Sequence, residues 1–252
     1  MKSDQFQRAL ALLVSSILSF SAYAEEANPA PADGESPKPT TWIADLGLGY
    51  VKTTGNTNTT TFKGDLKAVK EVEKWRHTIT AEGLNTSDGD TTTAERYYLA
   101  EKSDYKFSKY NYFYGTVTYD NDRFSGYSYR TTLSVGYGRR LIHQPTIILD
   151  GDVGPGVRYS KPENGDLEDE FIAHLGLNFK WEISDNSEFT QDLYSDIGED
   201  ATITRSVTAL TANINKTLAL KLSYSYKYTS KVPVGIDKTD TETVVTVVYK
   251  YR

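Results

Sequence analysis

The sequence predicts an all-β protein, an antiparallel up-and-down transmembrane β-barrel of about 12 strands. The first observation is alternation of apolar and polar residues over long segments, because successive side chains of a strand point to opposite faces. The second is a hydrophobic content of 38% and a mean hydropathy of −0.52, which suit a barrel in which only alternate residues face lipid. The third is the presence of 19 tyrosines, whose amphipathic rings suit a membrane–water interface.

Residues 1–24 have the form of a secretory signal peptide, with a positively charged start, an apolar segment over residues 9–20 and an Ala-Tyr-Ala cleavage site. Residues 25–41 contain four prolines and few large apolar residues, so they are predicted to form a flexible Pro-rich linker. The remaining residues, 42–252, are predicted to form the barrel.

The clearest strand pattern runs from Leu218 to Tyr228, where leucine and tyrosine occupy every second position and alanine, lysine and serine lie between them. The same pattern recurs along the chain, and the predicted strands span residues 42–52, about 58–70, about 76–85, about 92–107, 110–120, 127–141, 146–159, 170–183, 188–197, 201–214, 218–228 and 239–252.

The eighth predicted strand has the dimensions of a membrane-spanning strand. Phe171 and Trp181 lie on the same face of it. At about 3.3 Å per residue and a tilt of about 40°, they are separated by about 25 Å along the membrane normal, which matches the apolar band of an outer-membrane barrel. A soluble all-β sandwich or barrel also alternates, but its strands are usually only about 5–6 residues long.

The connections between the predicted strands alternate in length. If both termini lie in the periplasm, the longer or more polar connections fall on the outer side, as in outer-membrane barrels. These longer connections are residues 85–91, 121–126, 160–169 and 230–238. Two connections predicted on the same side, residues 53–57 and 198–200, are short.

Three segments carry a family resemblance: residues 49–59, which contain Thr-Gly-Asn-Thr-Asn-Thr, residues 100–105 and residues 127–138. They resemble a family of outer-membrane proteins that is described as salt-induced and has no characterised activity. The resemblance implies a barrel in the cell outer membrane and a link to salt or osmotic stress, but it supplies no site residues. The aromatic residue that assembly machinery reads at the end of such barrels lies one position early here, at Tyr251.

The inward faces of the predicted strands carry charges of both signs. The functional hypothesis is a narrow, porin-like passive pore for ions or small polar solutes. Because 12 strands lie between filled and open barrels, the alternative is a closed structural or ligand-binding barrel that acts through its outer loops. The candidate pore-lining residues are Lys63, Asp65, Arg130, Asp150, Asp152, Arg158, Lys180, Asp192, Lys221, Lys227 and Glu242, with Lys67, Glu82, Glu182 and Lys250 as further inward charges.

Composition and motifs argue against other function classes. The chain has no cysteine, and its net charge of −6 offers no basic surface for nucleic acid. A lipid-cleaving barrel enzyme is the third hypothesis, but His77, His143 and His174 are dispersed, so no catalytic residue, metal or cofactor is predicted. Gly154-Pro155-Gly156 predicts a bend rather than a phosphate loop, because no helix follows. The expected partners are outer-membrane lipid, the barrel assembly machinery and small polar solutes or ions.

Overall fold

The computed structural model of the protein describes residues 42–52, 54 and 58–252. They form one closed antiparallel barrel, in which each strand pairs with its neighbours in the chain and the last strand pairs with the first. This confirms the predicted fold class. The strands are β1 (Ile43–Lys52), β2 (Thr59–Glu71), β3 (Trp75–Asp88), β4 (Thr91–Lys106), β5 (Asn111–Asp122), β6 (Tyr127–His143), β7 (Ile147–Pro162), β8 (Glu168–Ser184), β9 (Ser187–Gly198), β10 (Thr202–Asn213), β11 (Leu218–Thr229) and β12 (Thr239–Tyr251).

The predicted signal peptide and linker lie outside the described residues, as does most of the connection at residues 53–57. The strands within the described part of the chain begin and end close to the predicted positions. The connection at residues 85–91 is the clearest difference, because β3 and β4 continue into it and leave only Gly89 and Asp90 between them. Gly89 has a φ of 56°, which a tight turn of this kind favours. No helix in the described part of the chain is long and apolar enough to cross a membrane.

The outward face of the barrel carries exposed apolar side chains that lie between two groups of aromatic rings. We call the end where β1 begins and β12 ends the terminal end, and the opposite end the loop end. The aromatic side chains near the terminal end include Trp75, Phe113, Tyr137, Trp181 and Tyr249, and those near the loop end include Tyr50, Phe62, Tyr119, Tyr129 and Phe171.

Two inward tyrosines of β5 fill space that glycines of β6 leave free. A Cβ atom added to Gly138 would lie 2.1 Å from the ring of Tyr112, and one added to Gly136 would lie 2.8 Å from the ring of Tyr114. The two tyrosines are 4% and 3% exposed, so their rings pack directly on the backbone of the neighbouring strand. Glycine is therefore required at both positions by packing rather than by backbone conformation.

The β6–β7 ladder is interrupted between the pair Ser134–Gly156 and the pair Tyr137–Val153. This interruption contains Pro155, which cannot donate a backbone hydrogen bond. The register is the same on both sides of this gap, so ladder pairs are missing at Gly-Pro-Gly within a continuous strand, and the predicted bend stays a prediction.

The close packing of Tyr112 predicts a specific cost for filling the space at Gly138. We expect Gly138→Ala to lower the free energy of unfolding by about 1–3 kcal/mol, because the buried ring must move. The matched control is Gly115→Ala in β5, where an added Cβ meets only the Val135 side chain at 3.9 Å. The control should stay within about 1 kcal/mol of the wild type. Urea unfolding in lipid vesicles measures both values, and equal losses would contradict this role of Tyr112.

Candidate functional site

The candidate site is the interior of the barrel, which we call the lumen. All of the candidate pore-lining residues lie on the inward face, because each occupies a strand position of the same parity as buried neighbours. Arg130, Arg158 and Lys227 are buried, whereas Lys180 and Asp192 are half exposed. The structure thus places these side chains inside the barrel, and their role in lining a conducting pore stays a prediction.

Some of the inward charges are paired with an adjacent strand. Arg158 on β7 donates to Glu170 on β8, with a distance of 2.5 Å between Nη2 and Oε1. Arg140 on β6 lies 2.8 Å from Asp150 on β7, measured from Nε to Oδ1. Such pairs join neighbouring strands in the wall of the barrel, although Asp150 also binds Arg76 of β3, with 2.9 Å between Nη1 and Oδ2.

Three ion pairs instead cross the lumen. Lys227 on β11 donates to Asp120 on β5, and these strands are six positions apart around the closed ring. Arg205 on β10 lies 2.6 Å from Glu82 on β3, measured from Nη2 to Oε1, across five positions. The third pair, Lys67 to Asp192, also spans five positions, with 3.1 Å between Nζ and Oδ2. Side chains from opposite walls therefore meet inside the barrel at three places.

These pairs require a flattened barrel. Twelve strands spaced about 4.8 Å apart and tilted by about 40° would enclose a circular barrel about 24 Å across. An extended lysine that contacts an aspartate joins Cα atoms no more than about 13 Å apart. The walls that carry Lys227 and Asp120 must therefore lie much closer together than a circular cross-section allows.

Inward glycines lie in two parts of the ring, where they leave room for sharp bending of the sheet. An added Cβ would lie 2.5 Å or less from other atoms at Gly136 and Gly154, which face each other across the β6–β7 ladder. The inward glycines in crowded positions are Gly47 and Gly49 on β1, Gly136 and Gly138 on β6, Gly154 and Gly156 on β7, and Gly176 on β8. Glycine allows strong curvature because it has no side chain on the concave face.

A larger charge network fills the middle of the lumen. Glu242 accepts hydrogen bonds from Lys63 Nζ at 2.5 Å and from Arg96 Nη2 at 2.7 Å. Lys63 also lies 3.5 Å from Glu82, which in turn binds Arg205. The network joins five strands and leaves these side chains no more than 13% exposed. Because its charges are paired with each other, the network offers no strong preference for cations or anions.

A second buried group surrounds His174. Its Nδ1 atom lies 2.6 Å from Asp196 Oδ1 and its Nε2 atom lies 3.3 Å from Asp152 Oδ1. Lys102 lies 2.5 Å from the other oxygen of Asp152. Nδ1 hydrogen-bonds to Asp196, whereas Nε2 lies at ion-pair distance from Asp152, so both ring nitrogens face carboxylates. In the described part of the chain, no group of three or more acidic, histidine or cysteine side chains is arranged to hold a metal ion.

The two openings of the lumen differ. A polar cavity of about 480 Å³ opens near the terminal end and is lined by residues that include Glu182, Glu188 and Lys250. At the loop end, the connection between β11 and β12 covers the opening, and its Pro233 packs against Gly126 of the β5–β6 connection. Gly126 has a φ of 76°, so both its conformation and this contact favour glycine. Only about 50 Å³ remains in the cavity beneath the connection.

Several residues of the lumen were missed by sequence reasoning, namely Arg76, Arg96, Lys102, Asp120 and Arg205. Each lies on the inward face of a predicted strand. Alternation along the strand therefore assigns it to the inward side, as it does for the buried residues Tyr98 and Asp104. Alternation along the strands could not predict which charged side chains pair across the lumen, because this pairing depends on how the ring of strands closes.

The three histidines lie in different surroundings. His174 is in the lumen, and His143 is at the end of β6. His77 faces outward, where its Nδ1 atom lies 2.7 Å from Ser103 Oγ. Glu101 Oε1 lies 2.5 Å from the same Ser103 oxygen. A serine-hydrolase triad requires the carboxylate on the second ring nitrogen of the histidine. Here Glu101 and His77 Nδ1 both meet Ser103, so the geometry differs from a triad.

A closed antiparallel barrel with an apolar exterior and a charged interior has the architecture of outer-membrane barrels. Comparison with solved structures agrees with this class. The chain is similar to the COG4313 outer membrane channel from Pseudomonas putida F1, with a TM-score of 0.51 and 11% identity over 89% of this chain and 100% of that one. It is also similar to the NanC porin, with a TM-score of 0.50 and 11% identity over 83% of this chain and 99% of that one. These similarities establish the shared fold.

The chain belongs to the family described as "Protein of unknown function, DUF481", whose model matches residues 46–251. A relative, "Uncharacterized protein YdiY" from Escherichia coli (strain K12), is 28% identical over 220 residues, which cover 87% of this chain and 85% of the relative. The expectation of an uncharacterised barrel family is thus confirmed, and the link to salt stays a prediction.

The burial of the Lys227 pair predicts a large loss of stability when one partner is removed. The side chains of Lys227 and Asp120 are 7% and 19% exposed, so Lys227→Met leaves a poorly solvated carboxylate. We expect the free energy of unfolding to fall by about 3 kcal/mol. The matched control is Lys180→Met, which removes a 43% exposed lysine paired with Glu188 and should cost less than about 1 kcal/mol. Urea unfolding in vesicles compares the free energies of unfolding of the two variants. Similar losses would show that the crossing pair contributes no more to stability than the exposed pair does.

Proposed function

We propose that the protein is an outer-membrane barrel that acts as a narrow passive channel for ions or small polar solutes. The observation that carries this proposal is the continuous arrangement of charged and polar side chains inside a barrel whose exterior is apolar. Polar side chains on the inside and apolar ones on the outside favour a path for polar solutes through lipid.

The outer-membrane location is supported by the exterior of the barrel. Exposed leucine, valine and isoleucine side chains lie between aromatic groups at the two ends, as lipid and its two interfaces require. The similar solved structures are named as an outer membrane channel and a porin. We infer that the terminal end faces the periplasm and that the barrel assembly machinery inserts the chain.

The channel that we propose is constricted. The pairs that cross the lumen leave no wide path at the level of Glu82 and Arg205, so only small solutes or ions pass when these side chains move apart. Charges of both signs alternate around the constriction, which is typical of weak ion selectivity. The cavity at the terminal end then forms a vestibule below the constriction.

The alternative function is a closed structural or ligand-binding barrel that acts through its outer loops. The same crossing pairs favour it, because they fill the lumen and hold the walls together. The connection between β11 and β12, which covers the loop end, is then the surface available to a ligand. Conductance of the wild-type protein separates the two functions.

A link to salt or osmotic stress, which the family resemblance implies, is the third part of the proposal. Ion pairs weaken as salt screens their charges, although buried pairs are screened less than exposed ones. The constriction is therefore expected to open more often at high ionic strength. Recording the open probability of the channel at low and high salt tests this expectation.

The proposed location predicts that the cost of an outward charge depends on its depth. We expect Leu222→Arg to lower the free energy of unfolding in vesicles by about 2–4 kcal/mol, because the charge enters the apolar band. Leu218→Arg is the matched control on the same face of the same strand, at the terminal end. It should cost about 0–1 kcal/mol. Equal costs at the two depths would contradict a membrane-spanning barrel.

The proposed constriction predicts a larger channel when a crossing pair is removed. We expect the wild type to give small, discrete single-channel steps in a planar bilayer. The double variant Glu82→Ala/Arg205→Ala removes the side chains that meet at mid-height, so its conductance should rise at least about twofold.

The control is Lys180→Ala/Glu188→Ala, which removes a neighbouring-strand pair at the wide vestibule rather than at the constriction, so its conductance should change by much less than twofold. Heat-modifiable migration in a gel confirms that each variant is folded. Silence from the folded, inserted wild type, with steps only in the Glu82→Ala/Arg205→Ala variant, would overturn the channel and favour the closed barrel.

A further inference from the structure

One acidic side chain, Glu101 on β4, lies on the outward face of the barrel among apolar residues. Its partners in the two adjoining ladders are Ile79 and Val117. On the described strands, the other carboxylates with outward parity, Glu95 and Asp169, lie near the loop end. A charged side chain on the lipid face of a barrel is costly, so its presence indicates a binding or functional role.

Glu101 belongs to a small polar cluster. Its carboxylate turns toward the terminal end and lies 2.5 Å from Ser103 Oγ, while His77 Nδ1 lies 2.7 Å from the same oxygen. An ionised carboxylate only accepts hydrogen bonds, so the serine donates to Glu101 and the histidine donates to the serine. The cluster therefore fixes the position of the carboxylate but leaves its negative charge largely uncompensated.

No lysine or arginine in the described part of the chain lies within ion-pair distance of Glu101. His77 is its nearest basic group, with 3.7 Å between Nδ1 and Oε1. The side chain of Glu101 is 22% exposed, so one side of the carboxylate remains open to the surroundings of the barrel. The carboxylate therefore has room for a cation from outside the chain.

The cluster adjoins the aromatic group at the terminal end. The ring of Trp75 stacks on His77 at 5.8 Å and contacts the ring of Tyr105 at 5.1 Å. Such rings mark the level of lipid headgroups. Lys70 on β2 lies opposite His77 in the ladder and faces the same way, which places a positive side chain beside the cluster. One surface at headgroup level therefore offers a negative and a positive group.

We propose that this cluster binds the headgroup of a zwitterionic phospholipid that carries a primary ammonium group, as phosphatidylethanolamine does. The ammonium donates hydrogen bonds to Glu101, and the phosphate lies near Lys70. This site rests on the proposed membrane location but not on channel activity, because Glu101 points away from the lumen. A neutral outward group elsewhere, in which Gln191 binds Ser206 and Thr208, offers no comparable charge.

The experiment uses the full chain in mild detergent, loaded from vesicles of phosphatidylethanolamine, phosphatidylcholine or phosphatidylglycerol with the same acyl chains. Native mass spectrometry measures the lipid that remains bound. We expect the wild type to retain phosphatidylethanolamine most strongly, because phosphatidylcholine has no ammonium hydrogen to donate. Glu101→Gln should bind it about tenfold more weakly, since a hydrogen bond to a charged acceptor is lost.

The matched control is Glu95→Gln, which neutralises an outward carboxylate near the other end of β4 and should leave retention unchanged. Ser103→Ala, which keeps the charge but removes the group that positions it, should weaken binding less than Glu101→Gln. Equal retention of phosphatidylethanolamine by the wild type and Glu101→Gln would overturn the proposal. Two other results would also overturn the proposal. One is a dimer of the protein that disappears in Glu101→Gln, which would assign Glu101 to an interface between two copies. The other is release of fatty acid that stops in Ser103→Ala, which would assign the cluster to lipid cleavage.

The same preparations distinguish this inference from the channel. Glu101→Gln should keep the single-channel conductance of the wild type, because the lumen is unchanged. Selective lipid retention by a protein that gives no single-channel steps would support the headgroup site and contradict only the proposed channel. Single-channel steps without selective retention of phosphatidylethanolamine would support the channel and overturn the headgroup site.

Discussion

The ion pairs that cross the lumen are the interactions on which the rest of the barrel depends. Lys227 and Arg205 reach carboxylates on the opposite wall, so the ring of strands is flattened. Flattening requires sharp bends, and inward glycines such as Gly49 and Gly136 lie where the sheet is most crowded. The tyrosines of β5 then fill the volume that the glycines of β6 leave free. The curvature of the sheet and the packing of these tyrosines are therefore both linked to the crossing ion pairs.

The same pairs bear on function. A buried pair is strongly destabilised by loss of one partner, so the charges that narrow the lumen also resist its opening. A vestibule at the terminal end and a covered loop end give the two openings different shapes. These features support the proposed narrow channel rather than a wide porin.

The exterior follows a different rule, since lipid tolerates few charges. Glu101 is an exception to this rule. Ser103 and His77 form a hydrogen-bonded cluster with its carboxylate. His77 stacks on Trp75, so this cluster adjoins the aromatic group at the terminal end, where we propose that a lipid ammonium group reaches the carboxylate. The proposed headgroup site therefore adds one chemically specific position to an apolar barrel surface.

The sequence by itself determined the strands and the face to which each side chain points, because alternation is a local property of extended chain. It placed Lys63, Arg158 and Lys227 inside. It did not show the continuation of β3 and β4 into the 85–91 connection, since polar residues suit both a strand end and a loop. Only the tertiary structure decided which charges meet, because partners such as Glu82 and Arg205 are far apart in the chain and are brought together by ring closure.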